Sequence, residues 1–293
     1  MLKDSFENQT PVLETIHKKI MELFNKYLII GGMPAAVQKY CVSNDYNEVH
    51  KIHNNIVSLY KADIAKYQSN DKKLKLIATY DLVPAELNKQ NKRYTLKKLN
   101  DNYKFDRYEA TFEWLNIAEL TIPVYNVLLP EIPLKLNEKS SLFKLFANDV
   151  GLLTSMYGVS TIRKIINRND DINFGAIYEN FVAQELHAHE YKTYYYKNKK
   201  YGELDFVIED DSCILPIEVK SGKNYITHRA LNNVMSNKNY NIKEAYVLTN
   251  NNVEKENVAT LHIESKDFDV LDEYSIVYLP IYMTMFIDSN TII

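Results

Sequence analysis

Glu203-Leu204-Asp205-Phe206-Val207-Ile208 and Ile214-Leu215-Pro216-Ile217-Glu218-Val219-Lys220 are two apolar runs that carry charge at the ends a hairpin would bring together. Charged side chains rarely sit inside such runs unless they are paired, bind a metal or do chemistry. The intervening Asp210-Asp211-Ser212-Cys213 suits a hairpin loop. A loop of those four residues pairs Glu209 with Ile214 and sets Asp205 directly opposite Glu218, with Cβ atoms roughly 5 Å apart. Alternation puts Asp205 with Val207 on one face, and Pro216, Glu218 and Lys220 together. Two carboxylates that close repel unless a cation or proton intervenes, and hard oxygen ligands suit Mg²⁺ or Mn²⁺. A slip of one residue would place them on opposite faces. The plainer alternative is an edge strand whose charges face water.

A third carboxylate precedes the pair. Phe174, Ile177, Tyr178, Phe181, Val182 and Leu186 recur at helical spacing, with Glu179 at the stripe's edge and Glu185 near its centre. A Glu at the edge of such a stripe can reach a site on a neighbouring sheet.

Glu179, then Asp205, then Glu218-Val219-Lys220 resembles the PD-(D/E)xK nuclease superfamily. The resemblance implies that Asp205 and Glu218 hold Mg²⁺ or Mn²⁺, helped by the backbone carbonyl of Val219. It implies that Lys220 orients or activates the attacking water and that Glu179 tunes the site. Lys220 would be a base only if burial kept it uncharged, and otherwise an electrostatic clamp. The implied reaction is metal-assisted hydrolysis of nucleic-acid phosphodiesters. Leu204 stands where the superfamily often has proline.

The rest of the chain bounds this reading. Its 293 residues and 46% hydrophobic content allow two or three packed units. The net charge of −3 leaves no global basic field, so any nucleic-acid contact must be local. Cys41 and Cys213 alone make neither a disulfide framework nor a zinc site. The start of the chain is polar, and the longest apolar run, Ile276 to Ile287, is short for a bilayer and contains Pro280. The expectation is a cytoplasmic protein with no membrane partner.

The expected fold is α+β. Apolar spacing from Val12 to Tyr27 and from Tyr46 to Tyr67 gives two long helices, broken by Gly31-Gly32-Met33-Pro34, so residues 1–69 form a helical region. Residues 70–150 read as helices at Lys72–Tyr80, Ala85–Lys89 and Asp106–Ala118. Strands at Leu120–Leu128 and Ser141–Ala147 follow, joined by a turn with Pro130 and Pro133, so the segment is winged-helix-like. Residues 151–293 hold a helical linker and strands that alternate with helices, the pattern of an α/β restriction-endonuclease-like domain.

Further segments resemble the DUF4143 family of prokaryotic proteins. They are Tyr27-Leu28-Ile29-Ile30-Gly31-Gly32-Met33-Pro34, Phe143-Lys144-Leu145-Phe146-Ala147-Asn148-Asp149-Val150-Gly151-Leu152-Leu153, Tyr178-Glu179-Asn180-Phe181-Val182 and the Glu218-Val219-Lys220 strand. The resemblance implies an AAA-type ATPase domain or subunit as partner. This chain has seven glycines and no Gly-x4-Gly-Lys-Ser/Thr loop, so no ATP site of that kind lies within it.

Weaker signals remain. Tyr194-Tyr195-Tyr196-Lys197-Asn198-Lys199-Lys200 interleaves aromatics and cations, which would let Lys197, Lys199 and Lys200 meet a nucleic-acid backbone, or simply form a solvated turn. Lys89, Lys92, Arg93, Lys97 and Lys98 read as a solvated face. His50 and His53 share a helix face without a third ligand and read as packing residues. Asp149 and Gly151 read as fold determinants.

Overall fold

The computed structural model describes residues 1–67, 70–95, 109–167, 174–210, 213–259, 270–271 and 273–288. Expectations for Lys97, Lys98 and Asp106 lie outside them. The helices are α1 (Leu2–Glu7), α2 (Glu14–Ile30), α3 (Pro34–Ser43), α4 (Tyr46–Tyr67), α5 (Asn70–Leu87), α6 (Glu109–Ile117), α7 (Val150–Met156), α8 (Val159–Ile166), α9 (Phe174–Ala188) and α10 (Arg229–Met235). The strands are β1 (Thr121–Val127), β2 (Glu138–Ala147), β3 (Tyr194–Asn198), β4 (Gly202–Asp210), β5 (Cys213–Val219), β6 (Glu244–Thr249), β7 (Glu254–Ala259) and β8 (Glu273–Pro280). The fold is mixed α+β, and its eight strands make one sheet in the order β2-β1-β3-β4-β5-β6-β8-β7.

Two compact units are drawn from interleaved stretches of chain. The sheet unit is Met1–Met21, Tyr125–Ser140 and Glu185–Ile293, and the helical unit is Glu22–Val124 and Ser141–Gln184. The units therefore do not follow the sequence blocks 1–69, 70–150 and 151–293. The two strands expected to form a wing are β1 and β2, and both are members of the eight-stranded sheet.

In the helical unit, Gly31-Gly32-Met33-Pro34 does more than stop α2. Pro34 occupies the first turn of α3, where its missing N–H costs nothing. Gly31 has φ +68°, and a Cβ there would lie 2.2 Å from Asp149 Oδ1. The buried Asp149 carboxylate accepts the Gly32 N–H at 2.7 Å and, as the α7 N-cap, the Leu152 N–H at 2.8 Å. Gly151 completes the lock, since a Cβ on it would meet the Ile30 carbonyl oxygen at 2.7 Å. These contacts bear out Asp149 and Gly151 as fold determinants. The two expected helices on either side of Pro84 are one helix, α5. Leu76, Tyr80, Val83 and Leu87 are all buried along it, and burial at roughly 1.5–3 kcal/mol per side chain offsets the roughly 3 kcal/mol cost of an internal proline.

In the sheet unit, β3 pairs antiparallel with β4 and β4 with β5, while β5, β6 and β8 run parallel. Leu204, Val207, Val247, Ile276 and Tyr278 pack with Leu231, Val234 and Met235 of α10, which covers one face. Gly202 lets that helix approach. Its φ is +105°, and a Cβ would stand 2.6 Å from the Ala230 Cβ. β7 reads as polar sequence and is an edge strand whose charges discourage further pairing.

Gly202→Ala is expected to destabilise the protein by about 1–3 kcal/mol, because strain at positive φ adds to overpacking against α10. Urea denaturation checks this. A change under about 0.3 kcal/mol would show that the close approach is not required.

Candidate functional site

The β4–β5 register is the one expected from the loop. Glu209 pairs with Ile214, Val207 with Pro216 and Phe206 with Ile217, and Asp210 with Cys213 extends the ladder one step toward the loop. At the other end the ladder stops short of an Asp205–Glu218 pair. Asp205 Oδ2 instead accepts the Val219 N–H at 3.0 Å, taking the place of a backbone acceptor. The cause lies on the other side of β4. Tyr194 pairs with Val207 and Tyr196 with Leu204, so two steps on β3 span three on β4. That extra residue is a bulge, which breaks strict alternation around Asp205 and Phe206 and re-aims a side chain. Alternation alone therefore misplaces Asp205, and the bulge turns its carboxylate onto the end of β5.

Glu218 obeys alternation. It pairs with Val247, which pairs with Tyr278, so Glu218, Val247 and Tyr278 form one row across three parallel strands. Glu218 is 8% exposed, and its Oε1 accepts from Lys220 Nζ at 2.7 Å. The Lys220 N–H bonds the Leu248 carbonyl at 2.8 Å, extending the strand past Val219. Asp205, Glu218, Val219 and Lys220 are thus gathered at one end of β5.

Glu179 belongs to the helical unit. Its buried carboxylate is held there by Lys92 and by Lys144, whose Nζ lies 3.7 Å away. Two cations on one carboxylate show how a buried charge is accommodated.

Lys197, Lys199 and Lys200 stand at the β3–β4 turn and are exposed. Lys197 pairs with Glu203 at 2.6 Å, and the Lys200 ammonium lies 5.7 Å from the Tyr201 ring centre. Tyr194, Tyr195 and Tyr196 are buried, so they cannot stack on bases as the sequence pattern suggests. His50 Nδ1 lies 2.6 Å from Ser155 Oγ, and His53 Nε2 lies 3.0 Å from the Ile30 carbonyl oxygen, the behaviour of packing histidines.

The sequence reading passes over three residues near this cluster. His228 caps α10 and its Nε2 lies 2.9 Å from Tyr278 Oη, which donates to Glu256 Oε2 at 2.8 Å. Burial, and then the Lys220 charge, hold His228 below its ordinary pKa, while Glu256 works the other way.

For a divalent cation the residues offer two carboxylates at one strand end. Among the described residues, no group of three or more His, Cys, Asp or Glu is placed to hold a metal. Mg²⁺ commonly takes one or two carboxylates and fills its remaining positions with water and phosphate oxygens. The pair fits that kind of site, provided Glu218 exchanges its contact with Lys220.

The arrangement defines a carboxylate–lysine cluster on a mixed sheet. Residues 174–264, which contain it, match DUF4143, and residues 21–163 match DUF8612; both are described as domains of unknown function. The Tyr27–Pro34 and Phe143–Leu153 segments thus fall in the DUF8612 match. No curated protein and no solved structure matches the chain. No helix among the described residues is long and apolar enough to cross a membrane.

A histidine held below its unfolded value binds protons less readily in the native state, so its contribution to stability is lost as pH falls through about 6.5. The unfolding free energy of the wild type is therefore expected to fall more steeply than that of His228→Gln from about pH 7.5 to about pH 5.5. Parallel curves from denaturant titrations would contradict this.

Proposed function

We propose that the sheet unit carries a metal-dependent phosphodiester-cleaving site of the PD-(D/E)xK type, on a restriction-endonuclease-like arrangement of strands. The observation that carries the reading is the turn of Asp205 onto the Val219 amide, beside the Glu218–Lys220 pair. Asp205 and Glu218, with the Val219 carbonyl, would hold Mg²⁺ or Mn²⁺. The cation, when bound, supplies neutralisation of charge on the phosphate and acidifies water. Lys220 would release Glu218 and bind a phosphate oxygen, keeping its positive charge as a clamp. Glu179 is the helix carboxylate of this reading. Lys197, Lys199 and Lys200 would meet the nucleic-acid backbone as point charges rather than through stacking.

A second reading is favoured by the closed Glu218–Lys220 pair and by the two lysines on Glu179. In it the cluster is a structural ion-pair network, and the chain is a non-catalytic DNA- or partner-binding module. Its winged-helix-like segment and sheet would work with an AAA-type ATPase domain or subunit, the partner that the DUF4143 resemblance implies.

Cleavage of supercoiled plasmid, single-stranded DNA and RNA with Mg²⁺ or Mn²⁺ separates the two. The enzyme reading expects Asp205→Ala and Glu218→Ala each to lower the rate by at least about 100-fold. Equal rates in wild type and both variants would leave the binding module.

A further inference from the structure

His228 has an atom that the fold leaves without a protein partner. The ring is 6% exposed, and its buried Nδ1 has no hydrogen-bond partner among the described residues. Buried polar atoms in native proteins are normally satisfied, so an exception calls for a reason. The other nitrogen supplies one. Glu256, as a carboxylate, only accepts, so the single proton of Tyr278 goes to it. The Tyr278 oxygen must then accept from His228, which puts the ring proton on Nε2 and the lone pair on Nδ1. A carboxylate, a tyrosine and a histidine thus form a chain that sets the tautomer, the logic by which a third group orients a base.

The chain lies beside the carboxylate–lysine cluster. Tyr278 shares a row with Glu218, and the two strands between them are in register. Lys220 stands two residues beyond Glu218 and is close enough for its charge to act on His228. The groups that face the histidine are Lys220, Tyr278 and Glu256, with Tyr225 edge-on to Tyr278 at 5.6 Å. Burial and Lys220 favour the neutral ring, the form that can take a proton. Lys220 is poorly suited to that task, because Glu218 holds it as an ammonium.

We propose that His228 is the general base of this site, its Nδ1 taking the proton of the water that attacks the phosphodiester. The inference rests on the phosphodiester-cleaving reading above. The water O–H bond breaks toward Nδ1 as its oxygen bonds phosphorus. The P–O bond to the leaving oxygen breaks with its electron pair. A solvent water protonates the leaving oxygen, and the imidazolium returns its proton to the hydroxide so formed. Glu256 and Tyr278 are positioning residues, and Lys220 stays charged throughout.

His228→Gln keeps an amide N–H for Tyr278 and loses the Nδ1 lone pair, so a merely structural histidine would tolerate it. On plasmid DNA with Mn²⁺, the full-length variant is expected to melt with the wild type but cleave about 100-fold more slowly near neutral pH. It should also lack the fall in rate that the wild type shows as pH drops through the histidine range. Imidazole is expected to restore part of the rate to His228→Ala. Separately, ¹⁵N spectra of the metal-free wild type should show the His228 proton on Nε2 at neutral pH. A wild type that cleaves while His228→Gln stays within 3-fold of it, or a ring protonated on Nδ1, would overturn the role of His228 alone. A wild type no more active than Asp205→Ala would overturn the cleavage reading together with it.

Discussion

The bulge in β4 is the constraint on which the candidate site depends. A regular strand would give the Val219 N–H a backbone acceptor and would leave Asp205 to follow the alternation of its neighbours. One extra residue between Leu204 and Val207 removes that acceptor and supplies the Asp205 carboxylate in its place. Leu204 and Val207 still reach the same core beneath α10 although they are three apart. The distortion is therefore confined to the two residues between them, and the rest of the β4–β5 ladder stays in register. A charged group is held at the end of a buried strand without interrupting the hydrophobic layer on either side.

The helical unit manages its buried charges differently. Asp149 is spent on local backbone donors, and burial raises its pKa while the Gly32 and Leu152 amides and His53 pull it down. Its two glycine neighbours have no room for a side chain. Glu179 is neutralised by Lys92 and Lys144. Satisfied charges of this kind specify a packing arrangement. By contrast, the sheet unit leaves the His228 Nδ1 without a partner among the described residues. That difference is why the sheet unit, rather than the helical one, is the better place to look for chemistry.

Much of the site was legible in the sequence because hairpin register follows from loop residues and apolar alternation. Glu209 opposite Ile214 came from those alone, and with it the neighbourhood of Asp205 and Glu218. The bulge was not legible. Its signature is a mismatch with β3, and Tyr194-Tyr195-Tyr196 is buried on every residue, so it offers no alternation against which a mismatch could show. The same uniform burial made the tyrosines resemble a stacking surface. His228 was missed because its meaning lies in Tyr278, 50 residues away, and in Glu256 on a polar edge strand that reads as loop. The long helices α2 and α4 followed from periodicity. α3 and the continuity of α5 did not, because Pro34 and Pro84 read as breaks until tertiary packing is known. The winged-helix-like grouping failed to anticipate that β1 and β2 join the large sheet, since pairing partners beyond the hairpin leave no local mark.

The central claim is that Asp205 and Glu218 together form a divalent-cation site at the end of β5. Diffraction from crystals of the full chain soaked in Mn²⁺, with data collected at the manganese edge, tests it most directly. The account predicts an anomalous peak within coordination distance of both carboxylates, with Lys220 displaced from Glu218. A peak elsewhere, or none while Lys220 still bridges Glu218, would contradict it.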